Sequence, residues 1–163
     1  MDEELRVDAR HYLRHSFATL AYRGGKVLRG APPNFGSFKI GGTTRTPSEI
    51  LAHLCDLFEW ALSLARGQEV WRGSSPGSWD SDVQRFFTTL GTLDERIAGP
   101  SPLGCPWTRL IQGPIADAFT HIGQLALLRR LAGSAVRGEN YFKAEIIMGR
   151  VGPDQVAPRR EFD

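Results

Sequence analysis

Asp117-Ala-Phe-Thr-His121-Ile-Gly-Gln124-Leu-Ala-Leu-Leu-Arg-Arg-Leu-Ala-Gly133 reads as one amphipathic helix. Pro114, just upstream, has a backbone set for a first helical turn, and Gly133 suits the left-handed residue that ends one. Ile115, Ala118, Ile122, Leu125 and Leu128 recur at steps of three and four, which makes one buried stripe. Asp117 and His121 lie at the border of that stripe, about 40° apart around the axis and ~6 Å along it. A carboxylate and an imidazole so placed can share one metal ion if a third ligand comes from another element.

Upstream, Thr46-Pro47-Ser48-Glu49 has the form of a capping box with proline at the first helical position. The helix it opens is expected to run to about Ala65 and to stop at Gly67, with Ile50, Leu54, Leu57, Ala61 and Leu64 as its stripe. His53 falls inside that stripe. An inward imidazole needs a partner for each ring nitrogen, so His53 is either a hydrogen-bonded core residue or a ligand. The Asp117/His121 pair favours the ligand. Asp117 could instead hydrogen-bond His121, or a backbone donor at the start of its own helix, where a carboxylate suits the dipole.

Two further helices complete the set. Residues 3 to about 22 carry Leu5, Ala9, Tyr12, Leu13, Phe17 and Leu20 at helical spacing, and Gly24-Gly25 and Gly30 are expected to fray its end. His11 and His15 are spaced as a ligand pair on it, but beside Arg10 and Arg14 they read as solvent-exposed. A third helix is expected from about Trp79 to Ala98, with Val83, Phe86, Phe87, Leu90, Leu93 and Ile97 inward. Between them, 30 to 46 is a long loop of the kind that is often functional. Its Phe35, Phe38 and Ile40 need cover. Residues 72 to 78 read as a flexible link, and Pro106 to Leu110 as one short turn before Pro114 opens the last helix. Beyond Gly133, residues 139 to 147 fit either a short helix or a strand, and the tail from Gly149 is expected to wrap the surface or fray. The fold class is therefore all-α. It is a four-helix bundle over about 3–133 with two long connections, in a single domain of residues 1–163 whose segment 134–163 is a C-terminal tail.

The chain's 163 residues suffice for one core without covalent staples. A net charge of +2 gives no case for nucleic acid or an anionic membrane. No apolar run is long enough to span a bilayer. The acidic start, Met1-Asp-Glu-Glu-Leu5, carries no apolar signal region, so a cytoplasmic location is expected. In that compartment Cys55 and Cys105, far apart and outside any Cys-x-x-Cys pattern, are expected as free thiols rather than a disulfide.

Ala52-His53-Leu54 followed by Trp60, together with Thr120-His121 running through to Gly133, resembles the DinB/YfiT-like family of small four-helix bundles. The likeness covers roughly 5 to 133, and the 139–155 segment looks like the tail of one subgroup. Proteins of that family hold a divalent metal, often zinc or nickel, with one histidine of the second helix and a His-x-x-x-His pair of the fourth. His53 and His121 match two of those positions. Asp117 stands where the first histidine of the pair usually stands, an arrangement similar to the mycothiol-dependent maleylpyruvate isomerase branch. The resemblance thus implies a site of His53, Asp117 and His121 for zinc, nickel, iron(II) or manganese, with open positions for water or substrate. Glu49 and Asp56, one turn either side of His53, are spare carboxylates for supporting roles. Gln124 is a candidate pocket donor, and Arg129 and Arg130 read as a solvated helix end.

What the resemblance implies for function is a metal-dependent transferase using a low-molecular-weight thiol (glutathione, mycothiol or bacillithiol) on a small-molecule substrate. A cation lowers a thiol's pKa, so the nucleophile comes from the cofactor and Cys55 is not required. The alternatives are a metal-dependent hydrolase, with Glu49 or Asp56 as base, and a non-enzymatic stress-associated bundle that binds a ligand or partner. A homodimer is also implied. No recognition motif supports nucleic-acid contact.

Overall fold

A computed structural model describes residues 8–163. The part of the first expected helix around Leu5 lies outside the described residues. Four long helices share one core: α1 (Ala9–Leu28), α2 (Pro47–Ala65), α3 (Trp79–Ala98) and α5 (Ala116–Leu131). A single turn, α4 (Trp107–Leu110), leads through a π-helical segment, Ile111–Ile115, into α5. The fold is all-α, apart from a two-residue ladder in which β1 (Gly138–Glu139) pairs antiparallel with β2 (Glu161–Phe162). Helices α1 and α2 each pack against both α3 and α5, so the packing runs in a ring, α1–α3–α2–α5. Consecutive helices α1 and α2 are therefore diagonal, as are α3 and α5. That is why their two connections are long.

Local chemistry places the helix ends. Thr46 and Glu49 form the full capping box, with the Thr46 N–H donating to Glu49 Oε2 at 2.7 Å and the Glu49 N–H to Thr46 Oγ1 at 3.2 Å. Ser78 caps α3 by accepting from the Ser81 N–H. Gly67 and Gly133, both at φ +78°, end α2 and α5 in the left-handed conformation. The expected bounds of α2 and α3 hold.

The first helix departs from expectation. Gly24 and Gly25 do not fray it, and α1 continues to Leu28. A Cβ on Gly24 would sit 2.6 Å from Phe86 Cζ and 3.4 Å from Ile122 Cδ1. The bare backbone is what lets α1 approach α3 and α5. Periodicity marks glycine as a helix breaker and does not register the neighbour that needs the space.

Pro114 does not open the last helix either, because helical backbone begins at Trp107. Proline inside an α-helix clashes with the carbonyl four residues back and leaves it without a donor. Here Pro114 lies within the widened π turn, which absorbs that conflict.

The connections are pinned. Phe35 is buried, edge-on to Trp79 with ring centroids 5.4 Å apart, so the 30–46 loop closes over the bundle as expected. Ile40 is an exception, at 53% exposed. The 72–78 link is not slack, since Ser74 donates from its N–H and its hydroxyl to the buried Asp56 carboxylate. Segment 139–147 is neither a helix nor a longer strand. It is the end of β1 and a 3₁₀ turn, Tyr141–Lys143. The tail is held by Glu139, whose buried carboxylate accepts from Tyr22 Oη at 2.6 Å and Lys26 Nζ at 2.8 Å.

The two helical glycines of contrasting surroundings give a stability test. Ala at position 24 gains helix propensity but must displace the fully buried Phe86 ring, so Gly24→Ala should lower unfolding free energy by about 1–2 kcal/mol. Gly123 of α5 meets nothing within 4 Å, and Gly123→Ala should raise stability by up to ~1 kcal/mol. Urea denaturation of both variants checks the signs. Equal shifts would contradict the packing role of Gly24.

Candidate metal centre

Adjacency of α2 and α5 brings the three sequence-selected residues together. His53 Nε2 lies 3.5 Å from Asp117 Oδ2, and His121 Nε2 lies 3.4 Å from Asp117 Oδ1. One ligand atom from each residue falls within 4.8 Å of the others. Two ligands on a common ion at 2.0–2.2 Å stand about 3.0–3.5 Å apart, so the two His–Asp separations match a shared ion, and the set as a whole has to draw in by about 1 Å to close on one. The donors are two imidazoles and one carboxylate, a set that suits borderline divalent cations. His53, Asp117 and His121 can therefore hold a metal ion.

The surroundings prepare the ligands. His121 Nδ1 is 2.7 Å from Gln124 Oε1. With the proton on Nδ1, the imidazole donates to that amide and turns the lone pair of Nε2 toward Asp117. Gln124 is thus a positioning partner of a ligand, and not only the pocket donor the sequence offers. Partial burial holds the His53 pKa below its ordinary value, and the nearby His121 ring adds to this, as does Arg45; the Asp117 carboxylate opposes it. A lowered value keeps His53 neutral near pH 7, the form that binds a cation. The two imidazoles meet edge to face with centroids 4.8 Å apart.

An open cavity of about 550 Å³ adjoins the triad. The Asp117 side chain is 47% exposed toward it, whereas His121 is almost enclosed. Trp71 stands edge-on to His53 at 5.6 Å, and Trp60 to Trp71 at 5.7 Å, and Trp71 borders a second, smaller cavity of about 300 Å³ that also reaches His53. Trp71 and Arg45 were not singled out from sequence. Both lie outside helices, where no periodicity points, although Arg45 closes the loop already marked by its length.

Other candidates are placed elsewhere. Glu49 is committed to the Thr46 cap, whose donors hold its carboxyl below the usual range. Asp56 is buried and paired with Arg85 at 2.8 Å, so it does not support His53. His11 and His15 are exposed, and among the described residues they join no ligand cluster. Cys55 and Cys105 are free thiols, and burial pushes Cys55 up to about 12, far from a thiolate at neutral pH. Arg129 is not solvated: it is buried and donates to Val27, Arg29, Gly30 and Ser134 carbonyls.

Removing the outer partner of a ligating histidine typically weakens metal binding about 10- to 100-fold. Gln124→Leu, which cannot accept from His121 Nδ1–H, should show a loss of that order for zinc in competition with a chromophoric chelator. An unchanged affinity would mean that His121 needs no such orientation. No protein-family model, no curated protein and no solved structure matches the chain.

Proposed function

We propose that this protein is a divalent-metal-binding bundle of the DinB/YfiT-like kind, and that it acts as a transferase with a low-molecular-weight thiol as co-substrate. The observation that carries the proposal is the convergence of His53, Asp117 and His121 at the edge of an open cavity. Zinc or nickel is the ion that the resemblance implies, and two imidazoles with one carboxylate also suit iron(II) or manganese. When bound, such a cation lowers the pKa of a thiol beside it into the neutral range. The chain's own residues do the rest. His53 and His121 offer neutral nitrogens from two helices, Gln124 fixes one ring, and the half-open Asp117 leaves an approach from the cavity. Trp71 borders the smaller cavity that reaches His53 from the other side.

One observation favours thiol transfer over hydrolysis. Glu49 and Asp56, the carboxylates available as a base for hydrolysis, are both engaged away from the triad. A non-enzymatic bundle that binds a small ligand would use the same cavity, so turnover is what separates it from a transferase. The resident thiol Cys55 is buried and protonated, so the nucleophile is assigned to the co-substrate.

Elemental analysis of the untagged protein should find near-stoichiometric metal that is lost in His53→Ala and in His121→Ala. Thiol-dependent turnover of an electrophile should survive Cys55→Ala and disappear in His121→Ala. Absence of metal after incubation with zinc, nickel and manganese would overturn the proposal. Turnover of esters without added thiol would replace it with hydrolysis.

A cytoplasmic homodimer completes the proposal. Among the described residues, no helix is long and apolar enough to cross a membrane. Sedimentation velocity should give twice the chain mass. A monomer at all concentrations would remove the dimer from the proposal.

A further inference from the structure

The cavity beside the triad has walls of two kinds. Ile40 and Leu127 stand at it more than half exposed, at 53% and 56%, and Leu128 lines it more deeply. Arg45 lines the same cavity. Five arginines of this chain, Arg10, Arg14, Arg85, Arg96 and Arg129, bond to carbonyls or carboxylates, and several others on the surface do not; among the described residues Arg45 is the one arginine that lines this cavity. Arg45 forms no hydrogen bond or ion pair with any described residue. The nearest acid in sequence, Glu49, is taken up by the Thr46 cap. On the opposite wall Gln124 accepts from His121 through Oε1, which leaves its amide N–H groups free to donate.

Charge counting gives the sign of the ligand. Asp117 offsets one unit of a divalent ion, so the loaded triad keeps one positive charge and Arg45 adds another. A cation fork facing apolar walls across a cavity of about 550 Å³ suits a small amphiphile with an anionic head. We propose that the site takes a carboxylate substrate, its head paired with Arg45 and its apolar body on Ile40, Leu127 and Leu128. This rests on the proposed metal-loaded site for its charge count but not on which nucleophile that site uses.

Octanoate and its uncharged counterpart octanamide are suitable probes. Isothermal titration would compare wild type, Arg45→Gln and Arg45→Lys, each loaded with zinc and again after chelation, with zinc content measured on the same samples. Arg45 is exposed on a loop, so the variants should fold and hold zinc as the wild type does. Octanoate should bind the wild type, lose about tenfold or more in affinity in Arg45→Gln, and recover in part in Arg45→Lys. Octanamide should not discriminate between the three. Equal octanoate affinity in wild type and Arg45→Gln would overturn the assignment, as would no octanoate binding by the wild type. Arg45-dependent binding by a protein that carries no zinc would uphold it and overturn the metal reading alone.

Discussion

Every helix ends with carbonyl groups that have no intrahelical donor, and a buried end must find donors elsewhere. In this protein three of the four long helices give theirs to an arginine of another element. Arg129 of α5 binds the carbonyls that end α1, including Val27 O at 2.8 Å. Arg10 of α1 binds Ile97 and Gly99 at the end of α3, at 2.6 and 2.8 Å. Arg96 of α3 binds Ala65 O at the end of α2, at 2.6 Å. A guanidinium carries five donors in a rigid fork, and its charge suits the negative end of a helix dipole. Each contact therefore both satisfies a helix end and fixes where a second helix stands.

The candidate site depends on that arrangement. His53 comes from α2 and the Asp117/His121 pair from α5, so a shift of one helix along the other would separate the donors. Phe58 and Phe86, edge to face at 5.3 Å, and the close approach at Gly24 hold the interior behind the site. On the outer side, the tail is tied to α1 by a buried ion pair. Burial alone would push the Lys26 pKa down, but its bonds to Glu139 and Glu161 prevail and keep it above the ordinary lysine value. Such a pair is costly to desolvate and adds direction more than net stability. It fixes where the tail lies.

The triad itself is a balance of exposure. Enclosed His121 and oriented Nδ1 favour a defined geometry, while half-open Asp117 leaves room for a ligand. Two indoles and the loop carrying Ile40 and Arg45 shape the approach. A site made this way has rigid donors on helices and adaptable walls on loops, the usual division between what must stay in place and what selects a ligand.

Much of this was legible in the residues. Helix bounds such as Pro47–Ala65 and Trp79–Ala98 follow from a capping box, a serine cap, two glycine stops and apolar steps of three and four, all local effects. His53, Asp117 and His121 could be selected because helical spacing puts His53 within a stripe and Asp117 and His121 one turn apart at the border of another, and because the resemblance implies those three positions as a site. Glycine and arginine could not be read in the same way. Gly24-Gly25 breaks a helix in isolation and permits a contact here, and Arg129 resembles a solvated end until the carbonyls of α1 surround it. The commitments of Glu49 and Asp56, the free fork of Arg45 and the indole beside His53 were likewise decided by tertiary structure. Periodicity reports which face of an element turns inward. Which group waits on that face is settled only when residues far apart in the chain are brought within a few ångströms.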